Sequence, residues 1–292
     1  MAIELVTKFK PYVDELFKNE SKRDLMTNQD FTWTGAHTVK VYKISTSGMN
    51  DYDRAGTGES WSRYGAVAGL DATTEEFTLT RDRSFTFVVD RLDKDETGMQ
   101  LQAASALARQ LREVVVPEVD SYTYATMTAN AGHKPDAVTL TNDNVYAEIM
   151  KGSEALDDAE IPEVGRVLLV NPATYALMKR SRDIVLDTDV GQEARLRGVI
   201  GILDGAAVVK VPSIRLPKNF GFMLAHPSAT VDPLKMEDYT IHQNPPGING
   251  SLVEGRVCYG TFVLDNKKNA IYYQEVSAAP TVQSSSKAGS KT

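Results

Sequence analysis

The residues best suited to chemistry stand in one short run, DYDRAGTGESWSRYGAVAG at 51–69. Glycine falls there at 56, 58, 65 and 69 among charged side chains and Trp61. Glycines beside charges can cradle a phosphate, so two loop chemistries bear testing. A Walker-type cradle needs G-x-x-x-x-G-K-[ST], with the lysine reaching the phosphates, and no lysine occurs from 44 to 93. A dinucleotide fingerprint needs G-x-G-x-x-G opening a helix straight after a strand. Here Gly56 and Gly58 are followed by Trp61 where the third glycine belongs, and no helical periodicity begins. The run is not read as a nucleotide loop.

Other chemistries fare no better. DTDVGQEAR at 187–195 offers Asp187, Asp189 and Glu193 around Gly191. A calcium loop spreads its oxygen ligands over defined positions between two helices, and the match is partial, so a solvated acidic loop is expected. His37, His133, His226 and His242 show no H-E-x-x-H spacing, and no G-x-S-x-G occurs. Glu118 and Asp120 flank a helix junction at Pro117 and read as polar groups there, not as an acid–base pair. The sole cysteine, Cys258 in RVCYGTFV, reads as a small hydrophobe inside a strand. A carboxylate pair that meets only in the fold remains open. No catalytic set, no cofactor and no metal ligands are expected.

The bulk numbers set bounds. The chain has 292 residues, 42% hydrophobic and 24% charged, enough for one elaborate or two smaller domains with a real core. A single cysteine allows no disulfide within the chain, which fits a reducing compartment. The net charge of −7 argues against a dedicated nucleic-acid binder, which needs clustered Lys and Arg, but not against a protein that surrounds nucleic acid. The start, MAIELVTKFKPYVDELF, lacks the pattern of a secretory leader, and no run approaches the ~18 apolar residues of a membrane span. A soluble protein made in the cytoplasm is expected.

Several elements must position the glycine-rich run. Residues 1 to 36 read as a polar, weakly amphipathic arm and not as the start of a core. HTVKVYKI (37–44) and EEFTLTRDRSFTFVVDRL (75–92) carry the period of two of half-buried strands. The run therefore lies in the long connection of a hairpin, and connections of that length are usually functional or disordered. DKDETGMQLQAASALARQLREVVVPEVDSYTYATM (93–127) holds the strongest helical signal. Asp95 and Glu96 suit its N-terminus, Leu107, Leu111, Val114 and Val115 follow its period, and Pro117 should kink or restart it. From 95 to 116 it would run roughly 33 Å. Beyond lie a helix at 141–156, a buried strand at 165–172 and a helix opened by Pro172. Strands follow at 201–212 and 220–231. A closing hairpin of 252–265 and 269–276 would turn at DNKKN. The tail from 278, rich in small polar residues, should be flexible.

The order of these pieces, and four stretches in particular, resemble a known family. RSFTFVVDRLDKDETGMQLQAASALARQLREVVVPEVDSYTYATM resembles a return strand running into a spine helix. GRVLLVNPATYALMKRS resembles a strand–NP–helix unit, GVIGILDGAAVVKVPSIRLP a glycine turn and strand, and VEGRVCYGTFVLDNKKNAIYY the closing strands. Together they are similar to the major capsid protein of tailed bacteriophages, of the Hong Kong 97-like fold, over nearly the whole chain.

The resemblance implies an α+β shell subunit: an N-terminal arm at 1–36, an extended hairpin loop (E-loop) at 37–92, and a spine helix with peripheral domain at 93–135. An axial domain at 136–240, closing peripheral strands at 241–277 and a flexible tail at 278–292 complete it. It further implies a homo-oligomer of hexamers and pentamers in an icosahedral virion capsid, assembled in the host cytoplasm. That shell would have a portal protein at one vertex and enclose double-stranded DNA without reading its sequence. The E-loop would lie across a neighbouring subunit, with Arg54, Glu59 and Arg63 offering pairing charges and Trp61 and Tyr64 apolar contact; Trp and Arg are enriched in interface hot spots. Some members join an E-loop lysine covalently to an asparagine of another subunit; with no lysine in the outer part of the loop, from 44 to 93, no such link is expected. No roughly hundred-residue N-terminal scaffolding segment is present, so either a separate scaffold protein directs assembly or the sequence is already processed; Met1 favours the separate scaffold. Three other readings stay open: an encapsulin-like shell around protein cargo, an α/β enzyme or ligand-binding protein resting on residues 161–231, and a phage protein of another kind, such as a tail or decoration component.

Overall fold

In the computed structural model, residues 21–28, 38–44, 46–56, 62–65, 69, 72–96, 102–181, 184 and 199–277 are described. The chain divides into two units, residues 33–80 and the remainder. The smaller is a hairpin in which β1 (Thr38–Ile44) pairs antiparallel with β2 (Ala72–Thr78), from Thr38 opposite Thr78 to Ile44 opposite Ala72. The expected hairpin is present, and its register leaves residues 45–71 as the connection.

The larger unit centres on a five-stranded mixed sheet. β4 (Val167–Val170), β5 (Val199–Leu203), β6 (Ala206–Lys210), β7 (Phe220–Ala225) and β12 (Ile271–Glu275) lie in the order β12-β7-β4-β6-β5. β4 and β6 run parallel and the other neighbours antiparallel. The strands read as unbroken apolar runs because both faces are covered. Leu168, Val170, Phe222, Leu224 and Tyr272 meet α4 (Val145–Asp158) and α5 (Pro172–Arg180) through Val145, Ile149, Leu156 and Met178. On the other face Val167, Leu169, Val209, Met223 and Tyr273 meet Tyr124, Met127 and Met26. Asp204 and Gly205, both at positive φ, make the two-residue turn between β5 and β6.

The NP motif has a concrete role at the end of β4. Asn171 caps α5, its Oδ1 accepting from the Thr174 amide at 2.6 Å, while its Nδ2 donates to the Phe220 carbonyl at 2.6 Å. Pro172 then opens the helix where no amide donor is needed. One asparagine thus ends a strand, starts a helix and ties both to β7.

A second sheet, order β3-β10-β9, uses the ten-residue strands β3 (Arg81–Asp90), β9 (Leu234–Gln243) and β10 (Gly250–Tyr259). The Phe85 ring lies across Gly255, where a β-carbon would stand 2.3 Å from a ring carbon. Val257 and Tyr259 pack on Val119 of the long helix, and an Asp82–Arg256 ion pair and a His242–Glu254 hydrogen bond join neighbouring strands. β8 (Thr230–Val231) and β11 (Phe262–Val263) form a short pair.

Three expectations are corrected. The long helix does not run from 95 to 116. Asp95 and Glu96 end a short helix, α1 (Arg91–Glu96), and the long one runs unbroken through α2 (Ala103–Gln110), a π-helical turn (Leu111–Val115) and α3 (Val116–Ala129). Pro117 neither ends nor restarts it: the wide turn just before absorbs the missing donor and the ring's bulk. The closing hairpin does not form. DNKKN lies in a 3₁₀ helix (Asp265–Ala270), β10 goes to the three-stranded sheet, and β12, buried on both faces, joins the central one. Finally, residues 21–28 of the expected arm belong to the core, with Met26 fully buried and the Asn28 amide donating to the Thr230 carbonyl at 2.7 Å.

Candidate functional site

The connection between β1 and β2 carries its own local structure. The Asp53 amide donates to the Arg63 carbonyl at 2.9 Å, and Asn50 Nδ2 donates to the Tyr64 carbonyl at 3.3 Å, so residues 50–56 and 62–65 lie side by side. Asp53 Oδ1 accepts from the Gly56 amide at 2.8 Å, an Asx-type turn. Gly56 turns at φ +69°, and the Arg63 guanidinium lies against the open side of its α-carbon, where a β-carbon would be 3.4 Å from it. Gly65, at φ +85°, leaves room for Asn50. Two of the glycines read from the sequence therefore serve close chain approach and not ligand cradling.

These turns hold a pair of aromatic rings in the open. Tyr52 and Tyr64 meet edge to face with centroids 5.0 Å apart, in the range where such pairs add about 0.5–1.5 kcal/mol beyond burial. Even so, Tyr64 is 77% and Tyr52 53% exposed, and Met49 beside them is fully exposed. Arg54 and Arg63 are exposed within the same turns. Of the five residues expected in this site, Arg54, Arg63 and Tyr64 are brought together, whereas Glu59 and Trp61 lie outside the described residues. Met49, Asn50, Asp53 and Tyr52 were not foreseen. Nothing local links Tyr52 to a ring twelve positions on; only the hairpin's register does.

Groups elsewhere that could do chemistry are structurally committed. Glu118 and Asp120, two apart on α3, point to different sides of the helix. Glu118 accepts from Arg83 at 2.7 Å and from the Tyr259 hydroxyl at 3.2 Å. Burial, with help from that carboxylate, pushes the Tyr259 hydroxyl up to about 12. Asp120 is buried, accepting from Ser21 at 2.6 Å and from Arg215 at 2.8 Å. Burial pushes its carboxyl above the ordinary value, and Ser21 and Arg215 pull part of that back. These are ties between elements, although the expected helix junction at Pro117 is absent and the helix runs through it. Cys258 is half-buried in β10.

His37 and the whole acidic run at 187–195 lie outside the described residues. Among the described residues no group of three His, Cys, Asp or Glu could hold a metal ion, and no helix is long and apolar enough to cross a membrane. A crevice of about 460 Å³ opens beyond the carboxyl ends of β4 and β6, where α/β folds often hold ligands. Its walls are mainly Leu140, Leu177, Leu216, Pro217 and Val276, and its Asn171 and Thr174 are taken up by backbone bonds. No pair of catalytic groups converges there.

Comparison with known proteins agrees with this architecture. A family model described as phage capsid protein matches residues 72–273. A chain from Mycobacterium phage Che8 superposes with a TM-score of 0.70 at 20% identity, covering 94% of this chain and 96% of that one. The capsid structure of cyanophage P-SCSP1u gives 0.70 at 15% identity, covering 94% and 93%. A virus-like particle from Pyrococcus furiosus gives 0.52 at 13% identity, covering 84% and 89%. No curated protein matches.

Proposed function

Since the chain belongs to the phage capsid protein family, a structural family, we propose that it is a major capsid protein of the Hong Kong 97-like fold whose copies close an icosahedral shell around double-stranded DNA. The observation that carries this reading is the hairpin tip. Met49, Tyr52 and Tyr64 are presented to solvent by turns built to hold them there, which has no use in a monomer and is what a contact with another copy needs. In this reading Arg54, Glu59, Trp61, Arg63 and Tyr64 of the extended loop lie on a neighbouring subunit. The long helix is the spine, the five-stranded sheet forms the axial domain, and the three-stranded sheet with the spine forms the peripheral domain.

Each tip contact is weak on its own. Exposed ion pairs contribute about 0.2–1 kcal/mol, and a shell gains strength because every subunit engages several neighbours at once. Weak individual contacts also let misplaced subunits leave before closure. Hexamers and pentamers, a separate scaffold protein and a portal at one vertex complete the assembly. With no lysine in its outer part, from 44 to 93, the loop forms no covalent link there between subunits, and particles boiled in detergent should run as a single 32.0 kDa band. The shell's fold would equally suit a protein-cargo compartment; the phage chains cover more of this chain and superpose better than the virus-like particle does.

Negative-stain microscopy of the expressed protein, alone and with its neighbouring genes, tests the reading. Closed particles that fill with DNA during infection are the expected result. A protein that stays a 32.0 kDa monomer at high concentration under all these conditions would overturn it.

A further inference from the structure

Residues 21–28 are docked on partners that lie far along the chain. Met26 is fully buried in one cluster with Tyr124, Met127, Leu169 and Val209, and Thr27 is enclosed beside it. The Ser21 hydroxyl donates to Asp120 at 2.6 Å, Lys22 Nζ donates to the Lys210 carbonyl at 3.0 Å, and Arg23 pairs with Asp232 at 3.4 Å. The Asn28 amide donates to the Thr230 carbonyl at 2.7 Å, and Asn28 stands opposite Val231 in a parallel bridge. The segment is a plug, apolar at Met26, ionic at Arg23 and tied at its end by a backbone bond.

The chain that joins this plug to its seat is long. From Asn28 the covalent route to α3 and the central sheet runs through residues 29–80, the smaller unit included, and then through β3. Closing a loop of that length costs conformational entropy, and the effective concentration of a tethered segment at its seat falls as the tether lengthens. Docking also encloses polar groups at a loss. The Tyr124 and Thr230 hydroxyls, both wholly enclosed at the seat, have no hydrogen-bond partner among the described residues. An enclosed hydroxyl left unpaired disfavours the closed state, so the plug is suited to open ahead of the core around it. A second copy carries the same residues. Once other contacts hold two copies side by side, the plug of one makes every contact named above in the seat of the other, without the long closure.

We propose that residues 21–28 exchange between adjacent copies in the assembly, Met26 and Arg23 of one subunit filling the seat that Asp120, Tyr124 and Asp232 form in its neighbour. Exchange of an identical element is a low-cost link between protomers, because the fit exists within each chain already. The proposal rests on the reading of the chain as a shell subunit. It adds to the exposed hairpin tip a second kind of link, made of core packing and an enclosed ion pair.

The test uses the unaltered full chain. Unlabelled and isotope-labelled protein are mixed in equal amounts as unassembled subunits, brought to assembly and treated with a short lysine-reactive crosslinker. Mass spectrometry then reads the Lys22–Lys210 crosslinked peptides, with dilute unassembled protein as the reference for closure within one chain. Exchange makes mixed-isotope pairs as abundant as like-isotope pairs in the assembled sample. Like-isotope pairs alone, or no Lys22–Lys210 pair at all in that sample, would overturn it. Microscopy of the same sample separates the two claims. Like-isotope pairs in normal shells sink the exchange alone, whereas mixed pairs without shells sink the container and leave the exchange standing.

Discussion

The central sheet and the hairpin tip place apolar side chains in opposite ways. In the sheet, Leu168, Leu169, Phe222 and Met223 are wholly enclosed, with helices on one face and the long helix and residues 21–28 on the other. At the tip, Tyr52, Tyr64 and Met49 are held outward by a handful of backbone bonds. Burial of the first kind stabilises the subunit. On the reading proposed above, exposure of the second kind is completed elsewhere, by surface of other copies that the single chain lacks. The lesson is that a subunit of an assembly must be read as two problems, one solved within the chain and one left for its copies.

The contrast can be broken most forcefully from the core. Phe222→Ala should cost about 3–5 kcal/mol and abolish a cooperative thermal transition near the wild-type temperature. A loss under about 1 kcal/mol in urea unfolding would show that the sheet's face toward α4 and α5 is not packed as described. Next comes the buried pair at the root of the helix. Arg215→Met leaves Asp120 enclosed without its guanidinium, which should cost about 3–5 kcal/mol, and Asp120→Leu added to it should recover much of that. Failure of the second substitution to recover stability would mean that the pair matters for something other than its charge.

At the tip the expectation reverses. Tyr64→Ser with Met49→Ser should leave subunit stability within about 0.5 kcal/mol while particles vanish from micrographs. Loss of folding instead would make the tip part of a core. The smallest effect is in titration. Carboxyl carbon shifts should place Asp120 above the ordinary 3.8, because of burial, and Asp82 below it, because of its bond to Arg256. The signs then differ. Asp120 holds its proton more tightly folded than unfolded, so its contribution declines as pH rises from 3.8 through its folded value. Asp82 supports folding above 3.8 and loses that support as pH falls through its own lower value.

What was legible in the sequence was local. The hairpin strands, the buried run at β4 and the NP start of α5 announce themselves through period, apolarity and capping chemistry within a few residues. The tip was legible as a place, through its glycines and the absence of phosphate-loop lysines, but only partly as a set: Arg63 and Tyr64 were foreseen, and Tyr52 was not. The misreadings concern things decided at a distance. Met26 enters the core because β4, β6 and α3 leave a hole for it, a fact its polar neighbours conceal. DNKKN looks like a turn between paired strands, yet β10 and β12 find partners elsewhere in the chain. Asp120 and Arg215 stand 95 positions apart, and no spacing rule reaches that far.

The wide turn at Leu111–Val115 also fixes a rotational phase. Four residues of ordinary α-helix advance the axis by about 400°, close to what five cover in the wider π-helical turn, so the turn takes up one extra residue without rotating what lies beyond Pro117. Tyr124 and Met127 keep their place against the sheet while α2 keeps its own phase. Leu111–Val115 thus sets which way the downstream half of the rod looks, and there the length of the chain counts for more than the identity of its side chains.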